Sequence, residues 1–136
     1  MFLFVKMKKS YACLIISSPS DTLATQDAIV LIKQLLENGN LIDHVFFYCE
    51  GVHHANHLNK PLGDEFNANQ AWAALANEYN IPMLVCVTSA LRRGVVDSET
   101  ATQEGLSQHN LAVPFQQVGL GEFFTRLHSV DNLVQL

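Results

Sequence analysis

The sequence predicts an α/β fold of three layers, α/β/α, around a mainly parallel sheet of about five strands. Three observations predict it. Short apolar runs alternate with longer amphipathic stretches, the order of successive βαβ units. The first run, YACLIIS at 11–17, is apolar without alternation, as in a strand buried on both faces. The stretch after it repeats apolar residues at helical spacing.

The elements follow in order. Residues 11–17 are the first strand. Ser18, Pro19, Ser20 and Asp21 make a turn, with Ser20 or Asp21 placed to cap a helix. Residues 22–38 carry Leu23, Ala28, Ile29, Ile32, Leu35 and Leu36 on one stripe, and Gly39 suits the helix end. HVFFYC at 44–49 is the second strand. Residues 50–66, EGVHHANHLNKPLGDEF, have too little periodicity for a regular element, and a loop of that length is usually functional. NQAWAALANEY at 69–79 is the second helix, with Trp72 and Leu75 inward. Pro82 opens a third strand at 83–88, MLVCVT; a turn and a third helix at about 97–108 follow. Residues 115–118 are a fourth strand, GLGEFFTRLHS a final helix, and 132–136 a fifth strand.

The 136 residues fit one domain, 1–136. Residues 1–8 read as a disordered or extended tail with Met7 as an alternative start. Their lysines and the short apolar run behind them make neither a signal peptide nor a membrane span. Hydrophobic residues are 49% and charged residues 15%, a globular composition whose low charge leaves apolar surface for partner subunits. The net charge of −5 argues against direct binding to nucleic acid. Three widely spaced cysteines without a CxxC suggest a reducing compartment and a cytoplasmic location.

Several candidate sites can be weighed on their residues. The first strand–helix turn contains no glycine to bring backbone N–H groups to a phosphate, and the lone GxG at 119–121 suits a turn. His53, His54 and His57 could supply zinc ligands, but adjacent histidines rarely converge on one metal, and solvated loop histidines are the better reading. Asp64 with Glu65, and Glu99 with Glu104, have no spacing that makes them face each other across a substrate. Among the cysteines, Cys13 sits mid-strand as an inert core residue, and Cys49 ends a strand with no basic neighbour. Cys86 lies late in the third strand, where ligands bind in open parallel sheets, with Arg92 and Arg93 close behind. These residues alone leave two readings open, a reactive thiol or a buried structural cysteine.

The segments FFYCEGVHHANHL (46–58), DEF (64–66), CVTSALRRGVVD (86–97) and GLG (119–121) occur in order. Together they resemble the DsrE/DsrF-like family, most of all its TusD branch, over nearly the whole chain. The resemblance implies the three-layer fold and a sulfurtransferase that relays sulfur as a persulfide. It implies Cys86, which opens the CVxxALRRG signature, as the catalytic residue, with no metal or organic cofactor. The implied partners are TusB- and TusC-like subunits in a heterohexamer, a TusA-like sulfur donor and a TusE-like acceptor. The implied end use is 2-thiolation of the tRNA wobble uridine. A DsrE-type role in dissimilatory sulfur oxidation and a non-catalytic scaffold subunit are the alternatives. Arg92 and Arg93 are assigned either to anion stabilisation or to subunit contacts. The 50–66 loop is assigned to the pocket or to a subunit contact.

Overall fold

The computed structural model describes residues 8–136; the expected tail and the alternative start at Met7 fall almost wholly outside them. Five strands, β1 (Ser10–Ile15), β2 (Leu41–Phe47), β3 (Met83–Cys86), β4 (Phe115–Val118) and β5 (Asn132–Gln135), form one sheet in the order β4-β3-β2-β1-β5. Every pairing is parallel.

That order decides where the helices lie. From β1 to β4 each crossover steps one strand in the same direction. The connection from β4 to β5 then returns across the whole sheet. Right-handed crossovers therefore put the helices of the first three steps on one face and that of the last step on the other. The packing agrees. Ile29 and Ile32 of α1 (Thr22–Glu37) and Trp72 and Leu75 of α2 (Ala68–Tyr79) pack with Cys13, Val45, Phe47, Met83 and Val85. On the opposite face Phe46, Leu84, Cys86 and Val118 pack with Phe123.

The local chemistry explains the long helices. Asp21 caps α1 by accepting from the Ala24 N–H at 3.2 Å, and Gly39 at φ 85° ends it in a conformation that favours glycine. Asn67 caps α2 through the Gln70 N–H at 3.1 Å, and Asn80 ends it at φ 55°. The stripe predicted on α1 buries Ala28, Ile29 and Ile32 but leaves Leu23 exposed. Burying an isoleucine such as Ile32 contributes about 1.5–3 kcal/mol.

Four elements differ from expectation. β2 runs Leu41–Phe47, starting three residues before the expected 44–49 and stopping two residues short of it. The 50–66 segment is not wholly irregular, because Cys49–Ala55 forms a 3-10 helix. Its buried Gly51, Val52, His54 and Ala55 follow three-residue spacing, which a search for α-helical or strand periods misses. The third strand stops at Cys86, and a short helix α3 (Val87–Arg92) begins where two more strand residues were expected. The next helix, α4 (Ser98–Gln103), covers only the first half of its predicted span, because Gly105 adopts φ 71° and turns the chain. The final helix α5 is Leu120–Leu127.

Candidate functional site

The two segments that carried the family resemblance meet at the carboxyl ends of β2 and β3. Phe47 lies opposite Val85 in the register, so the chain just after Phe47 runs beside Cys86. There the β2 strand turns into the 3-10 helix, and Tyr48 N–H donates to the Ile15 carbonyl at 3.0 Å. Gly51 lies against that carbonyl so tightly that an added Cβ would drive into the Ile15 oxygen, which explains a glycine in EGV. Glu50 Oε1 accepts from Arg93 Nε at 2.7 Å, and Arg93 Nη1 donates to the Ser89 carbonyl at 3.2 Å. Cys49 N–H donates to Ser89 Oγ at 3.4 Å.

Arg93 thus joins the two segments. Its guanidinium is held by the Glu50 carboxylate; this hydrogen bond raises Arg93 above the usual arginine range, and the same bond from Arg93 holds Glu50 below the usual carboxylate range. The structure gives Arg93 a tethering part, with its polar contacts made to Glu50 and the Ser89 carbonyl. Arg92 is exposed.

Cys86 is the last residue of β3 and the N-cap of α3, so the N–H groups of that helix's first turn follow it directly. α3 has six residues, too few to bind an anion on the strength of its dipole alone. The thiol itself is covered. Cys86 is 2% exposed, in a cluster with Phe46, Leu84, Val118 and Phe123, flanked by Leu14, Tyr48 and Leu127. The chemistry expected of it needs an exposed sulfur, and the isolated chain does not offer one. Tyr48, Val118 and Phe123 are the covering residues that the sequence reading missed. Their signal lay in strand alternation, since Phe46 and Phe47 must point to opposite faces.

The other cysteines differ. Cys13 is fully buried under α1, and burial pushes its thiol up to about 12, as suits an inert core residue. Cys49 is partly exposed and adopts φ 52° at the start of the 3-10 helix.

The three loop histidines do not converge. Among the described residues no group of three metal-ligating side chains occurs. His57 is exposed and His53 lies 3.4 Å from Glu50, both near the solvated reading. His54 departs from it, being 1% exposed. Trp72 Nε1 can only donate, and it lies 3.0 Å from His54 Nδ1. His54 Nδ1 is therefore the bare acceptor, and Nε2 carries the hydrogen donated to the Ser17 carbonyl at 2.9 Å. Burial lowers this imidazole to about 4 and holds it neutral. His54 is a bolt between the end of β1 and α2. Asp64, Glu65, Glu99 and Glu104 are all exposed. An open cleft of about 360 Å³ lies beside the loop, lined by Ser18, Ser20, His53, Glu65 and Asn69 among others, and Cys86 is not part of it.

Comparison with known proteins gives this geometry a family. The chain is 46% identical to Sulfurtransferase TusD of Proteus mirabilis over 124 residues, covering 90% of this chain and 95% of that protein. It is 39% identical to Sulfurtransferase TusD homolog of Vibrio cholerae, covering 95% and 99% of the two chains. It is 42% identical to Sulfurtransferase TusD of Serratia proteamaculans, covering 90% and 96%. The crystal structure of ychN protein from E. coli superposes with a TM-score of 0.65 over 96% of this chain and all of that one. At 21% identity that likeness shows the fold alone. The profile of the DsrE/DsrF-like family matches residues 9–136, and with the identities to these relatives it shows that the chain belongs to the DsrE/DsrF-like family.

Proposed function

We propose that this chain is a sulfurtransferase subunit of the TusD type and that Cys86 carries the sulfur. The observation that supports it most is the position of Cys86. It opens CVTSALRRGVVD at the end of β3, in a chain 46% identical to a protein named Sulfurtransferase TusD. A donor protein brings a persulfide. The Cys86 thiolate attacks its outer sulfur, the S–S bond breaks, and the donor leaves as a thiolate. Cys86 then holds the persulfide until an acceptor thiolate attacks the same outer sulfur and frees Cys86. Atoms and electrons balance in both steps without an added oxidant, metal or organic cofactor.

The finer reading places this single domain in the cytoplasm, with TusB- and TusC-like subunits, a TusA-like donor, a TusE-like acceptor and tRNA wobble thiolation as the end use. One feature supports subunit association: the thinly covered face exposes Leu120, Phe124 and Leu133. Among the described residues no helix is long and apolar enough to cross a membrane. The burial of Cys86 favours one competing reading, a scaffold subunit whose cysteine is structural.

Radiolabelled sulfur offered on a charged donor protein separates them. Uptake is expected in the parent and in Cys13→Ala and Cys49→Ser, and is lost in Cys86→Ser. Labelling that survives Cys86→Ser moves the role to another residue.

A further inference from the structure

Cys86 has to meet another protein's thiolate, yet it is 2% exposed. The cluster around Cys86 is covered more thinly than the one around Cys13. The helix on that face, α5, has eight residues and a single buried one, Phe123. Phe123 stacks on Phe46 at a centroid distance of 4.0 Å and stands edge-on to His44 at 5.7 Å. Beyond that ring α5 is tied to β2 by Arg126, 3.7 Å from Asp43, a partly exposed pair that adds little; the 3.9 Å pair of Arg126 with Glu122 lies within the helix itself. The helix follows β4 directly, and the last residue of β4, Val118, lies opposite Cys86.

The joint between β4 and α5 is Gly119-Leu120-Gly121. Neither glycine is required by the folded backbone. Gly119 sits at φ −74°, Gly121 has no left-handed φ, and a Cβ at either would meet nothing within 4 Å. Glycine at such positions only adds freedom to the open chain and lowers helix stability.

We propose that α5 is a lid, hinged at Gly119 and Gly121 and latched by Phe123, which opens locally to expose Cys86 and closes to shield it. Local opening of a weakly buried element costs less than global unfolding. In the closed state the sulfur is kept from stray thiols and oxidants, the protection a stored persulfide needs. The lid rests on the sulfur-relay reading for its purpose, but its motion can be measured without sulfur transfer.

The test uses the full chain carrying Cys13→Ala and Cys49→Ser, so that Cys86 is the only thiol, and follows its alkylation by N-ethylmaleimide by intact mass. Cys86 in this parent is expected to react at least ~100-fold more slowly than in the urea-unfolded chain, as local opening requires. Phe123→Ala removes the latch and should accelerate alkylation roughly tenfold or more. Gly121→Ala favours the closed helix and should slow it roughly fivefold, the equivalent of about 1 kcal/mol of helix propensity. Ile32→Val, which weakens the core under α1 on the other face, should leave the rate unchanged. The lid is overturned if the parent reacts as fast as the unfolded chain, or if Gly121→Ala has no effect. It is also overturned if Ile32→Val and Phe123→Ala accelerate labelling in proportion to lost stability, since exposure would then come from global unfolding. Loss of the relay reading in the sulfur-uptake experiment would leave this alkylation series standing, so the two failures are distinguishable.

Discussion

Cys13 and Cys86 lie in strands on either side of β2, and both are buried, but they belong to opposite faces of the sheet. Over Cys13 lies α1, sixteen residues with four buried, and the thiol is pushed up to about 12. The cluster that holds Cys86 is covered by α5, eight residues with one buried, Phe123. The two thiols are similarly hidden and differ in what hides them. A thick covering makes a cysteine part of the core, whereas a thin one leaves it within reach of a local opening.

The comparison can be broken or sharpened at several positions. Gly51→Ala has the largest expected effect, because its methyl group must displace the end of β1, where both faces are anchored. Loss of about 4 kcal/mol or more, or failure to fold, is expected in urea unfolding. A small loss would show that this junction yields easily.

Phe46 and Phe47 make the contrast between neighbours in one strand. Phe47→Ala should cost about 4 kcal/mol, since its ring packs against Trp72, His54 and Phe115. Phe46→Ala should cost about 3 kcal/mol while also speeding alkylation of Cys86. Equal labelling rates in the two variants would erase the distinction between the faces.

Acid should loosen the thick face through His54. Its imidazole is held neutral down to about 4 in the folded chain, whereas in the unfolded chain it takes up a proton below about 6.5. Stability from this group is therefore complete above the unfolded value and falls as the pH drops towards 4, by about 3 kcal/mol in all. His44, also lowered by burial, adds in the same direction. Urea midpoints at pH 7.5 and 4.5 measure the effect, and an unchanged midpoint would mean that His54 protonates without leaving its place.

The smallest effect is expected at Arg93. Both partners of its ion pair with Glu50 are partly exposed, so Arg93→Ala should leave the urea midpoint almost unchanged. A loss of sulfur uptake greater than the loss of stability would give Arg93 a part beyond tethering.

Much of this was legible in the residues. The unbroken apolar run of β1, the stripe on α1, the cap Asp21, and the inward Trp72 and Leu75 are local properties, and each element formed close to its predicted span. The 3-10 helix and α3 were not legible, because segments of six or seven residues carry too few repeats to show a period. His54 and His53 are adjacent and identical in type, yet one bolts Trp72 to the end of β1 and the other is half-buried beside Glu50. Only their surroundings separate them.

By itself, the sequence determined the α/β class, the run of elements and, through its motif segments, the family, because hydrophobic period, caps and signature spacing are written along the chain. Tertiary structure alone decided that Arg93 would be taken by Glu50 and that Cys86 would lie beneath a two-turn helix. Those outcomes depend on which strand end meets which helix across the sheet, and strand order, with the handedness of the final crossover, is a property of the packed whole.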